Sequence, residues 1–157
     1  MKKIEIEIPD GKRAEWVNGV LTLVDDDITK RIKTVEDACN ELGEKHPLVT
    51  QYRLSVAAAY IGDPMTEDFI AFLKLRIIAT ALNEGWEPTF EKDEERWYPW
   101  FAVKQGGLVC VYAINAGLNS VSYYVMRLFF KSKKLAEYAG KQFTDIYNDF
   151  CYGRNKL

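Results

Sequence analysis

The segment TEDFIAFLKLRIIATALNEGW, Thr66 to Trp86, constrains the fold of this chain more than any other stretch. Stepped at about 100° per residue, Phe69, Ile70, Phe72, Leu73, Leu75, Ile77, Ile78, Ala81 and Leu82 fall nearly all round the helical wheel. A helix apolar on every side is one that other elements must surround. Thr66 is placed to cap it, and Glu67 and Asp68 put negative charge in the first turn, where the helix dipole favours it. Gly85, after Asn83-Glu84, supplies a stop. A helix of about eighteen residues rising ~1.5 Å each runs roughly 27 Å, through the middle of a small domain. Lys74 and Arg76 interrupt the apolar run and make it a poor membrane span. The sequence therefore predicts a buried central helix in a soluble α+β domain, whose chemistry is far less legible than its fold.

The 157 residues amount to about one domain, and 48% hydrophobic with 28% charged residues argues against disorder. A net charge of −2 gives no reason to expect a nucleic-acid binder overall. The charge is uneven, however. From Val121 onward seven Lys/Arg face three Asp/Glu, against fourteen facing twenty before it. Solvated helix faces often carry such an excess. Cys39, Cys110 and Cys151 are odd in number and contain no CxxC pair, so a reduced cytoplasmic setting is expected, with all three as packing residues. The start, MKKIEIEIPDG, lacks the apolar region of a signal peptide, and no membrane association is expected.

Ile4, Ile6 and Ile8 alternate with glutamates in the period-2 pattern of a half-buried strand. Pro9-Asp10-Gly11 turns the chain, and Asn18-Gly19 joins two β-rich runs from Ala14 to Val24. Residues 3–24 thus read as a three-stranded meander, covered by this chain's own helices or paired at its edge with another copy. Asp25-Asp26-Asp27 lacks the spacing of a calcium loop and reads as a solvated connector. Thr34 caps a helix to Leu42, with Asp37 three residues on and Gly43 as stop, and His46-Pro47 opens another to about Tyr60. Strands are expected at Phe101–Val103, Leu108–Ile114 and Val121–Phe130, with Pro99 confined to an edge or irregular run. Ser132 caps a final amphipathic helix, Lys133 to about Phe150, in which Gly140 marks close packing. The whole is one domain: an arm to residue 28, a body to residue 150, and a tail from Cys151.

Conventional catalytic kits are scarce. His46 is the only histidine, and before a proline at a helix start it suits capping better than catalysis. Phosphate-binding loops and nucleophile elbows are absent from the sequence, and Gly106-Gly107 reads as a turn. No catalytic residue, metal site or cofactor is expected. The acidic run of Glu84, Glu87, Glu91, Asp93, Glu94 and Glu95 could include a catalytic pair, but sequence does not set the distance between them. Arg76 is the most informative charge: within an apolar helix it must find an internal partner or serve as the cation of a pocket for an anionic ligand, with Lys74 as a second charge. Trp86, Trp97, Tyr98, Trp100 and Phe101 are either core against the end of that helix or, exposed beside Arg96, Arg127 and Lys131, a stacking platform or interface hot spot.

The order IPDG…WVNGVLTLV, RIKTVEDACNELG, LKLRIIATALNEGWEP, RWYPWF and FKSKKLAEYAGKQFTDIY resembles a group of uncharacterised small proteins of Bacteroides-type gut bacteria and their prophages. The likeness spans nearly the whole chain, with a shorter stretch between Phe101 and Leu128 than in some relatives. It implies a mobile-element accessory protein and carries no established activity or site. The expected function is a non-enzymatic binding or assembly protein, self-associating or holding a protein partner through a strand edge or the aromatic cluster. One alternative is single-stranded nucleic-acid binding, with Arg127, Lys131, Lys133 and Lys134 on phosphates. The other is an enzyme acting on an anionic substrate.

Overall fold

A computed structural model describes residues 5–59, 64–89, 91, 93–116 and 126–153. The fold is α+β, with six helices and two separate two-stranded antiparallel sheets among the described residues. At the centre lies α4, Pro64–Leu82, packed by α2 (Val35–Leu42), α3 (Pro47–Ala58) and α6 (Thr144–Tyr152). From Ala71 onward its apolar residues are buried except for the half-buried Phe72, and Ile77 and Leu82 are fully shielded. The first turns differ from expectation, because Phe69 remains 46% exposed and Met65 81% exposed. The helix also starts at Pro64, a residue suited to a first turn that needs no donor, so Thr66 lies inside it rather than capping it.

In the N-terminal sheet β1 (Lys12–Val17) pairs with β2 (Val20–Asp25) in the register Val17↔Val20. Asn18 and Gly19 have φ of 51° and 80°, both positive as a type I′ turn requires. The expected third strand is not formed by residues 5–9, and residues 1–4 lie outside those described. Ile6 and Ile8 alternate correctly, but neither finds an apolar surface to bury against, and alternation without cover does not make a strand. The aspartate run does more than connect. Asp25 pairs with Lys12 at 3.0 Å, while Asp27 caps α1 (Ile28–Arg31), accepting from the Thr29 amide at 3.0 Å and from Lys134 at 2.8 Å. Thr34 and Asp37 exchange the two bonds of a capping box on α2.

The second sheet pairs β3 (Trp97–Lys104) with β4 (Gly107–Asn115), and Val111 is the extra residue of a bulge where the register shifts between Trp100 and Phe101. β3 begins before Phe101 and runs through Pro99, which sits opposite Ala113. No third strand continues it at 126–130. Met126–Leu128 is a 3₁₀ turn and Phe130 makes a single bridge to Trp97, while residues 117–125 lie outside those described. On the side of this segment away from Trp97, the Asn83 side chain donates to the Phe129 carbonyl (2.8 Å) and accepts from the Lys131 amide (3.0 Å).

The last helix is two helices. Ser132 caps α5 (Lys133–Gln142), and the chain bends at Phe143 into α6. The Thr144 hydroxyl bonds back to the Gly140 carbonyl at 2.6 Å, a local competitor to helical continuation. α5 lies against both strands of the second sheet, and Gly140 permits the approach: a Cβ there would stand 2.5 Å from Cys110 Sγ and 2.6 Å from Pro99 Cβ. Tyr147 of α6 meets Phe101 with ring centroids 4.7 Å apart. α6 continues through Cys151 and Tyr152 into the expected tail. Cys39 and Cys110 are buried free thiols, but Cys151, on the last turn of α6, is exposed rather than a core residue. Among the described residues no helix is long and apolar enough to cross a membrane.

Candidate functional site

Beyond Leu82 the chain reverses through Glu84 and Gly85, both left-handed (φ 49° and 84°), and presents Trp86, Glu87 and Pro88 beside the last turns of α4. Because Asn83 holds the backbone on either side of Phe130, the 3₁₀ turn and its Arg127 are fixed against the same end of α4. Between these segments opens a cleft of about 460 Å³, lined by His46, Arg76, Thr80, Asn83, Gly85, Trp86, Glu87, Pro88, Arg127 and Phe129.

Arg76 is half-buried there, its guanidinium 6.0 Å from the Phe72 ring. Among the described residues neither Arg76 nor Arg127 forms an ion pair. Burial holds the Arg76 pKa below its ordinary value, the Arg127 charge pushes the same way, and Glu87 opposes both. Among the described residues, two guanidiniums thus face one carboxylate across the cleft. His46 caps α3 by accepting the Leu48 amide on Nδ1 at 3.2 Å, so the ring proton sits on Nε2. Such a set can hold an anion: two cations, a histidine and an indole.

The structure brings Arg76, Trp86 and Arg127 together and disperses the other candidates. Arg96 does not stand among exposed rings; it is 2% exposed, inside the fold where β3 begins, and its backbone carbonyl accepts from Ala116 at 2.7 Å. Trp97 is half-buried, with its indole donating to Glu95 at 3.1 Å. Tyr98 packs on Phe129 at 6.0 Å and on Trp100 at 6.4 Å. Trp100 is 45% exposed opposite Tyr112 on the sheet face away from α5. Lys131 is taken by Glu84 at 3.0 Å. Lys133 pairs with Glu137 and Lys134 with Asp27, so the basic C-terminal residues largely answer internal charges.

Glu84 is a hub that sequence gave no reason to expect. It accepts from Arg13 (3.0 Å), Arg31 (3.2 Å) and Lys131, tying the N-terminal hairpin to the end of α4. Burial pushes its carboxyl up, but the hydrogen bonds from Lys131 and Arg13 outweigh this and leave it below the usual range. A readable signal for the cleft did exist. Arg76, Thr80, Asn83 and Glu87 recur at steps of four, three and four, a polar stripe along an otherwise apolar helix and its exit. His46 and Phe129, far away in the chain, carried no such signal. Among the described residues no cluster of three His, Cys, Asp or Glu side chains could hold a metal ion. No protein-family model matches this chain, and neither a curated protein sequence nor a solved structure matches it.

Proposed function

We propose that this is a non-enzymatic binding and assembly protein that takes an anionic group between Arg76 and Arg127. One observation carries the reading: among the described residues, two guanidiniums line one cleft with a single carboxylate to balance them. Structural arginines in a fold normally meet internal carboxylates, as Arg13, Arg31 and Arg53 do here. Glu87 is the one carboxylate among the described residues of the cleft, which favours binding over hydrolysis, since hydrolysis would call for converging carboxylates or an activated nucleophile. The resemblance to proteins of gut-bacterial prophages supplies the setting, a mobile-element accessory role in the cytoplasm. Thermal unfolding followed with added inorganic pyrophosphate tests the cleft, since a ligand of the native state raises the midpoint by mass action. A saturable rise supports the reading, whereas an unchanged midpoint at matched ionic strength removes it.

A second reading, single-stranded nucleic acid as the anion, is favoured by the path of rings that leaves the cleft: Phe129 to Tyr98 to Trp100, with Tyr112 opposite. The paired lysines limit its electrostatics. With only the two cleft arginines on phosphates, the salt slope should be small, about −1.4 for a single strand. A steep slope would point to some other surface.

A further inference from the structure

We propose that β2 pairs with β2 of a second copy, antiparallel, about a twofold axis at Thr22. This specifies the assembly part of the function proposed above and is separate from the cleft. In the type I′ turn the Val20 amide meets the Val17 carbonyl, so pairs on β1–β2 alternate from there between bonded and non-bonded. The Asp26 amide donates to the Gly11 carbonyl at 2.9 Å, where that alternation requires a bond. Thr22 and Val24 therefore turn their backbone groups toward β1, while Leu21 and Leu23 turn theirs outward.

The other sheet edges are defended in ways that β2 is not. β1 carries Lys12, Arg13 and Glu15. β3 has Pro99 and a bridge to Phe130. β4 has a bulge, and the outward Leu108 amide is capped by Asn148 at 2.8 Å. From Val20 to Val24 there is no charge, no proline and no bulge. An antiparallel copy centred on Thr22 sets Leu21 against Leu23 of the second copy, and each such pair exchanges both outward N–H···O bonds. Val20 then faces Val24, like meets like on both faces, and Asp25 stays beyond the paired region. Centring on Leu23 would instead put Asp25 opposite Leu21. The apolar face of Ala14, Trp16, Leu21 and Leu23 becomes continuous across the axis, and Trp16 is 74% exposed in the single copy.

Size-exclusion chromatography with light scattering should show concentration-dependent dimers. Thr22→Lys should weaken them at least tenfold, because like charges then sit directly opposite, and equimolar mixing with Thr22→Glu should restore them. In a Cys151→Ser background, Thr22→Cys should form a disulfide dimer on mild oxidation: a non-bonded pair places its Cα atoms about 4.5 Å apart, inside the ~4.4–6.8 Å that a disulfide spans. Leu23→Cys, diagonal to its own copy, should not. A strict monomer at the highest attainable concentration overturns the proposal, as do dimers indifferent to Thr22→Lys, or cross-linking at Leu23 in preference to Thr22. Pyrophosphate binding by the Thr22→Lys monomer, measured alongside, reads the cleft separately.

Discussion

The two sheets have the same topology and opposite fates. Each is a pair of antiparallel strands joined by a two-residue turn. The β3–β4 pair lies under α5 and α6, its inner face sealed by Gly140 and by Tyr147 over Phe101. The β1–β2 pair meets the body through charge instead: Arg13 and Glu15 on one face reach Arg31, Glu41 and Glu84. Its other face keeps Trp16, Leu21 and Leu23 in solvent. Cover rather than strand propensity decides what a two-stranded sheet is for. A covered pair is core, and an uncovered pair leaves its apolar side chains in solvent.

Mutations should separate the two sheets by size of effect. Phe130→Ala, at the bridge beside β3, removes a fully buried ring and should cost about 3–5 kcal/mol in denaturant unfolding. Gly140→Ala should cost about 1–3 kcal/mol, because a methyl group meets Cys110 and Pro99 where neither can give way freely. If it proves neutral, α5 does not pack on that sheet as described. Loss of the Thr34 cap in Thr34→Ala should cost about 1 kcal/mol.

Acid should act on the charged links more weakly. Asp27 is held below the usual carboxylate range, first by the hydrogen bond from Lys134 and then by Thr29. A depressed folded-state pKa means that this stabilisation is complete above the ordinary carboxylate pKa of about 4 and fades as pH falls below it. Lys134→Ala should flatten that acid limb by a few tenths of a kcal/mol, the scale of an exposed pair. Smallest of all, Trp16→Ser should leave monomer stability within about ±0.5 kcal/mol despite removing the largest side chain of the hairpin. A large loss there would mean that the hairpin is core after all.

What the sequence disclosed follows the range of each interaction. The caps at Thr34 and Ser132 and the Asn18-Gly19 turn rest on residues within a few positions of one another, and local physics fixes them. Ile6 and Ile8 show the limit of pattern, since alternation reports a capacity to pair and not the presence of a neighbour. Arg96 and Arg127 look alike in sequence, yet one is enclosed and the other lines a cleft, because placement depends on Asn83 reaching Phe129 and Lys131 across more than forty residues. The stripe of Arg76, Thr80, Asn83 and Glu87 was there to be read, but its opposite wall was not.

Calorimetric titration of inorganic pyrophosphate into the protein at low ionic strength, repeated with Arg76→Gln and Arg127→Gln, decides whether the cleft is a site. One saturable binding event is expected, weakened roughly 10–100-fold by either substitution as charge-assisted bonds are lost, with circular dichroism unchanged. Absence of a saturable event, or heats that neither substitution alters, would contradict the assignment of these arginines to an anion.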